Sequence, residues 1–165
     1  MAQLQADGSP LQLYAEGKHR GRRFTLVGRL QIRYSQGFWN EWHARFDDET
    51  TAWVGDAQGT YTFNFKTEPA GPLPPKNALR VGAAVELQGE RYTVRDLREA
   101  EYYSAEGELP FRVALGAKNS FADLSGPGQK FATIDYSENP PLLFLGEYAP
   151  FESFSFTGLR EIPGW

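Results

Sequence analysis

The chain contains no cysteine. That absence excludes disulfides, thiolate nucleophiles, zinc ribbons and iron–sulfur clusters, and with them the stapled scaffold usual in small secreted domains. Histidine is scarce. His19 sits in the basic run KHRGRR and His43 alternates with core-type residues, so the two do not make a histidine triad or a zinc site between them. No run approaches the roughly 18 apolar residues of a spanning helix, and the start MAQLQADGSP has neither the positive charge nor the apolar stretch of a signal peptide. The expectation is a cytoplasmic protein that does not span the membrane. No G-x-S-x-G elbow, phosphate loop or dinucleotide fingerprint occurs. The formal net charge of −4 is opposite in sign to a general nucleic-acid binder, so no nucleic-acid partner is expected. No cofactor and no metal are predicted.

What the chain has in quantity is aromatic residues, 12 Phe, 8 Tyr and 4 Trp, together with 17 Gly and 11 Pro. Such a composition favours strands and turns over helices. In FTLVGRLQIRY, Phe24, Leu26, Gly28, Leu30, Ile32 and Tyr34 alternate with Thr25, Val27, Arg29, Gln31 and Arg33. This predicts a strand with one buried and one wet face, with a bulge or sharp bend at Gly28. SQGFWNEW then opens a second strand, with Trp42, Ala44 and Phe46 on the core face, His43 and Arg45 on the other, and Trp39 exposed in the turn. AWVGDAQGTYTFNF gives two more strands around a turn, with Tyr61, Phe63 and Phe65 on one face.

TEPAGPLPPKNALR, residues 67–80, carries four prolines and no stable period, and reads as a linker. Beyond it the pattern recurs. RRFTLVGRLQ at 22–31 is similar to ERYTVRDLRE at 90–99, and GTYTFNF at 59–65 to QKFATID at 129–135. The offsets are 92 − 24 = 68 and 131 − 61 = 70. The predicted organisation is a first β repeat over 13–66, the linker 67–80 and a second β repeat over 81–161. The fold class is all-β with antiparallel strands and little helix, its two related halves forming a small barrel-like unit, a pair of small barrels or a pseudo-symmetric sandwich.

Three groups of residues are candidates for function. Lys18, Arg20, Arg22 and Arg23 form a basic patch. It reads as a solvated hairpin tip, or as a dock for an acidic partner or for peripheral association with anionic lipid. Trp39, Glu41 and Trp42 in WNEW, with Trp53 nearby, read as core packing or as a stacking platform for a sugar or base. The acids Glu108, Asp123, Asp135 and Glu147 stand beside apolar residues, where a carboxylate needs a partner. They read as turn caps or as partners of Arg95, Arg112 or Arg160, and alternatively as paired carboxylates of a hydrolase. Asp135 and Tyr136 end the strand FATIDY just before SENPP; the offset of 70 sets Asp135 opposite Phe65, a core position, and one of 71 opposite Asn64, a wet one.

The strand GERYTV, then GELPF, then FATIDYS, then GE with an aromatic-rich strand resemble a bacterial family of unknown function, DUF4178. In the first half WNEW, the following Trp53-Val54 and the G-T-Y of GTYTFNF are similar to that family's elements. The likeness runs roughly from Leu13 to Arg160 and implies an accessory role in a bacterial envelope-stress or conflict system. Some relatives carry a cysteine-rich metal ribbon, and without cysteine no metal role carries over. The expected function is therefore a non-catalytic interaction module whose partner is another protein. The alternative is a β module that binds a small molecule or glycan through tryptophan, and the third reading is the carboxylate enzyme. An enclosed pocket of a few hundred cubic ångströms favours a ligand, and a flat apolar patch a protein partner.

Overall fold

The computed structural model describes residues 7–161. Its strands are β1 (Glu16–His19), β2 (Arg22–Tyr34), β3 (Gly37–Phe46), β4 (Thr51–Ala57), β5 (Thr60–Thr67), β6 (Ala84–Leu87), β7 (Glu90–Gly107), β8 (Lys118–Ser125), β9 (Lys130–Asp135) and β10 (Leu142–Tyr148). Three of the connections are two-residue turns, Arg20-Gly21, Gln58-Gly59 and Gln88-Gly89, with positive φ at both residues. That is the turn whose twist matches the strands it joins, and glycine takes the second position without a Cβ to strain.

Neighbouring strands run in the order β1-β2-β3-β4-β5-β10-β9-β8-β7-β6, and β2 pairs with β7 as well. The second pairing closes β2, β3, β4, β5, β10, β9, β8 and β7 into an eight-stranded antiparallel barrel, with β1 and β6 as flaps outside the ring. The all-β expectation holds, and closure makes the unit one barrel rather than two barrels or a sandwich. Among the described residues helix is limited to two 3₁₀ turns, Lys76–Ala78 and Phe151–Phe154.

The prediction of one buried and one wet face along β2 needs correction. The register between β2 and β3 shifts between Leu26 and Gly28, a bulge that reverses which face each later residue takes. Phe24 and Leu26 point outward, whereas Leu30 and Ile32 point into the barrel, and all four are buried. Arg29 and Gln31, on the outward face, are buried as well. In β7 a comparable shift separates Val94 from Asp96. Bulges of this kind let one long strand serve a flap at one end and the ring at the other.

The apolar faces of most ring strands point outward, and segments outside the ring roof them. Phe24, Leu26, Trp42, Ala44, Phe46, Val54 and Phe63 pack beneath Leu11, Ala15 and Phe154. Tyr92, Val94, Leu124, Ile134 and Leu143 pack beneath Leu79, with Leu73 against them. The proline-rich stretch thus covers a sheet face as well as connecting strands. Each such large side chain removed from water stabilises by roughly 1.5–3 kcal/mol. A third cluster, Leu30, Ile32, Trp39, Ala100, Tyr102 and Phe121, lies inside the ring where β2 meets β7.

Phe24 and Tyr92, the first pair matched between the halves, stand on β2 and β7, each just after a tight turn. The second pair does not correspond in this way. Tyr61 is on β5, the fifth strand, and Phe131 on β9, the fourth strand counted from β6.

Gly28 lies where the β7–β8 connection touches the ring. A Cβ there would stand 2.0 Å from the Glu108 carbonyl oxygen and 2.8 Å from its carbon, so backbone would have to move. Gly28→Ala is expected to lower stability by about 1–3 kcal/mol in denaturant melts. Gly71→Ala, with nothing within 4 Å of its added Cβ, should stay within about 0.5 kcal/mol of the parent.

Candidate functional site

Because the apolar faces point outward, the alternate residues of the ring strands line an interior cavity of about 410 Å³. Every ring strand contributes to it, for instance Leu30, Trp39, Trp53, Thr62, Phe144, Thr133, Phe121 and Tyr102. Gly55 and Ala57 on β4 are small, which leaves the space open between aromatic walls.

Glu41 faces this lumen. Its neighbours across β4 and β5 are Gly55 and then Thr62. The Trp39 indole Nε1 donates to Glu41 Oε1 at 3.0 Å. A Cβ on Gly55 would lie 3.6 Å from Glu41 Oε2 and 2.4 Å from Thr62 Oγ1, so this glycine keeps a gap open between them. Enclosure by protein strips water from the carboxyl and pushes its pKa up to about 8; the Trp39 bond and Arg98 pull it down, and Asp123 adds to the rise. Glu41 retains some accessible surface because it borders the lumen's own water-sized space.

Across the lumen Arg98 joins Asp123 in an ion pair and lies 2.9 Å from Asp96. Its guanidinium carbon is 5.0 Å from the Trp39 ring centre and 5.3 Å from that of Tyr34, a cation–π arrangement. Thr133 Oγ1 donates to Asp123 at 2.9 Å. Desolvation raises the Asp123 pKa, and Arg98 opposes that rise. On β5, Asn64 Nδ2 donates to Thr62 Oγ1 at 2.9 Å. Asn64 Oδ1 has no hydrogen-bond partner among the described residues.

One end of the lumen is covered by the β7–β8 connection. Glu108 N donates to the Val27 carbonyl at 2.6 Å, and Phe111 reaches to 6.2 Å from the Trp53 ring and 6.3 Å from Tyr102. His43 Nδ1 lies 3.1 Å from the Glu108 carbonyl oxygen. An oxygen there can only accept, so Nδ1 carries the hydrogen, and burial lowers the His43 pKa toward the neutral ring.

The structure brings some predicted residues to this site and separates others. Trp39, expected exposed, is 8% exposed on β3 and lines the lumen with Trp53. Trp42 points the other way, as predicted, with its Nε1 donating to Asp56 Oδ2 at 3.1 Å and Arg29 over its ring at 4.9 Å. The three tryptophans therefore do not make one platform. Asp135 is buried and lines the lumen; its Oδ1 accepts from Ser137 N at 2.8 Å, a turn cap and not an arginine pair. Tyr136 turns outward and donates to the Pro74 carbonyl at 2.8 Å, with burial pushing its pKa up to about 12.

Glu108 and Glu147 stay outside. Glu108 pairs with Arg45 at 3.0 Å. Glu147 pairs with Arg20 at 2.8 Å and lies 3.6 Å from His19. Lys18, Arg22 and Arg23 are exposed, and Arg22 pairs with Asp48 at 3.1 Å while covering the Phe46 ring. Sequence reasoning missed Arg98, Tyr102, Thr62 and Asn64 as parts of one site. For Thr62 and Asn64 the signal was present in the alternation, since both are out of phase with Tyr61, Phe63 and Phe65, but that face reads as wet until the ring is known to close. Arg98 and Tyr102 share the sequence parity of Tyr92 and Val94, and the register shift between Val94 and Asp96 is what turns them into the lumen.

Two predictions concern the buried acids. Folded Glu41 holds its proton to about pH 8, whereas the unfolded chain releases it near the ordinary value of 4.5. Across that window the native state binds the extra proton, so stability falls as pH rises and levels off outside it. Asp123, Arg98 and Asp56 also act on Glu41, so the measurement is a difference. Thermal melts should show Glu41→Gln gaining stability relative to the parent as pH rises from about 5 to 8. At Asp135, Asn retains an oxygen for the Ser137 amide and Leu does not. Asp135→Leu should be less stable than Asp135→Asn by roughly 1–3 kcal/mol in denaturant melts.

Among the described residues no helix is long and apolar enough to cross a membrane, and no three His, Asp or Glu are grouped to hold a metal ion. Searches of the curated proteins and of the solved structures give no match. The model of a family described as a domain of unknown function, DUF4178, matches residues 12–151. With its motifs on the strands that form the barrel and that match over most of its length, the chain belongs to the DUF4178 family.

Proposed function

We propose that the barrel is a non-catalytic module that takes a small organic molecule into its lumen, in the accessory bacterial setting that the family resemblance implies. The observation that carries this reading is the partly open cavity of about 410 Å³ inside the ring, with aromatic walls and a few inward polar groups, within the roughly 300–1,000 Å³ of small-molecule sites. A glycan ring would find the same aromatic faces. The protein-interaction reading asks for a contiguous exposed apolar patch. Tyr14, Val81, Leu97, Phe111 and Leu115, the exposed large apolar side chains among the described residues, belong to several separate segments of the chain.

We also propose that residues 13–66 and 81–161 are related halves joined by 67–80, with the lumen formed between them. The turns Arg20-Gly21 and Gln88-Gly89 have φ of 51° and 78° in both cases. The register shifts at Leu26/Gly28 and Val94/Asp96 share one offset, 94 − 26 = 68 and 96 − 28 = 68. The strand residues of one outward apolar cluster, Phe24 to Phe63, come from the first half and those of the other, Tyr92 to Leu143, from the second.

Titration of ¹⁵N-labelled protein with a set of one- and two-ring aromatic fragments tests the luminal site. Trp39 and Trp53 indole N–H resonances are expected to move, with Trp42, on the outward face, as the internal control. Shifts confined to the outer face, or no shift with any fragment up to millimolar concentration, would overturn the reading.

A further inference from the structure

Two acceptors on the lumen wall are open to a donor, while Arg98 Nε, without a hydrogen-bond partner among the described residues, faces the Asp96 carboxylate. Glu41 Oε1 is engaged by Trp39, and Oε2 borders the gap over Gly55. Asn64, 5% exposed, keeps its Oδ1 without a partner among the described residues while its amide nitrogen is committed to Thr62. A buried acceptor without a donor is costly, so Asn64 Oδ1 calls for one. Charge points the same way. Five acids, Glu41, Asp56, Asp96, Asp123 and Asp135, line the cavity against two guanidiniums, Arg95 and Arg98, and Arg98 is already engaged by Asp123 and Asp96.

The lumen also shows how it holds a cation, since Arg98 lies over the Trp39 and Tyr34 rings with carboxylates at its edge. Resting on the luminal reading above, we propose that the ligand is an arylalkylamine in its ammonium form. The ammonium group occupies the gap over Gly55 and donates to Glu41 Oε2 and Thr62 Oγ1, with Asn64 Oδ1, over Gly146, as a further acceptor on the same wall. Its ring lies among Trp39, Trp53 and Tyr102. A metal ion is a poor fit, because hard divalent cations take six or more oxygens and no group of three such side chains is gathered here among the described residues.

The test compares tryptamine, its neutral analogue tryptophol and its anionic analogue indole-3-acetate, by calorimetry and by the Trp39 and Trp53 indole resonances, in the parent and in Glu41→Gln. Tryptamine is expected to bind at least about tenfold more tightly than tryptophol, as a charge-assisted hydrogen bond to a carboxylate should give. In Glu41→Gln that preference should disappear, the ratio of tryptamine to tryptophol affinity falling to about one. Within the parent alone the preference should weaken from pH 8.5 to pH 5.5. An alkylammonium, ordinarily titrating near about pH 10.4, stays charged at both, whereas a proton on Glu41 competes with it. Asp123, Arg98 and Asp56 act on Glu41, and Tyr102 and Asp135 lie on the same lumen. This arm stands even if the variant fails to fold. Equal binding of the three probes in the lumen, tighter binding of indole-3-acetate, or a preference that survives Glu41→Gln would overturn the amine class and leave the luminal site standing. Failure of all three to move Trp39 and Trp53 would overturn both.

Discussion

Pairing of β2 with β7 is the constraint on which the rest of the molecule depends. Seven residue pairs, from Gly28↔Gly107 to Tyr34↔Ala100, close the ring. Without them the sheet would be an open ribbon with its polar face in water. With them that face becomes the wall of an interior cavity. Residues that alternate as solvent-facing along each strand, Glu41, Thr62, Asn64, Arg98 and Asp123, are brought to one cavity. The cost follows directly, since carboxyl groups taken from water must be paired, protonated or left open to a ligand. The pair Arg98–Asp123 and the raised pKa of Glu41 are two different answers to that one condition.

A hollow ring cannot derive its stability from a packed interior as small barrels do. Here the apolar faces are turned outward, and chain from outside the ring lies over them. Leu11, Ala15 and Phe154 cover one face, and Leu73 and Leu79 cover the other. Residues near the two ends of the described chain and the proline-rich stretch therefore act as core. Prolines suit this duty. They hold an extended path across a sheet without offering amides that would need partners. Removing the burden of packing from the lumen leaves its residues open to small and polar types, Gly55, Ala57, Thr62 and Asn64 among them.

Much of the fold was legible in the sequence. Alternation in FTLVGRLQIRY marked a strand, Gly28 marked its bulge, and Trp42, Ala44 and Phe46 were placed on the apolar face that buries them. The site was less legible, for a physical reason. Alternation tells which residues share a face and not which side of a closed surface that face takes. Trp39 and Glu41 share a parity, and so do Thr62 and Asn64, yet whether they see bulk water or a lumen is decided by β2 meeting β7, residues about 70 apart in sequence. The acids show the same limit. Glu108 and Glu147 looked no different from Asp123 in sequence, but the first two pair with Arg45 and Arg20 outside, and Asp123 is enclosed.

Gly55 shows how one position can serve both the ring and the lumen. On the strand it pairs with Glu41 on one side and Thr62 on the other, where glycine weakens a strand interior for lack of a packing side chain. A Cβ at this position would stand 2.4 Å from Thr62 Oγ1, so the strands pack as they do because none is there. That same missing side chain leaves Glu41 Oε2 bordering open space instead of a neighbour. A carboxyl in that setting has three ways to settle, namely a proton, a water or a donor brought from outside. Burial favours the first by raising the pKa. The last is the one that a ligand can supply, and it makes the least comfortable residue of the ring the one best able to distinguish a cationic guest from a neutral one.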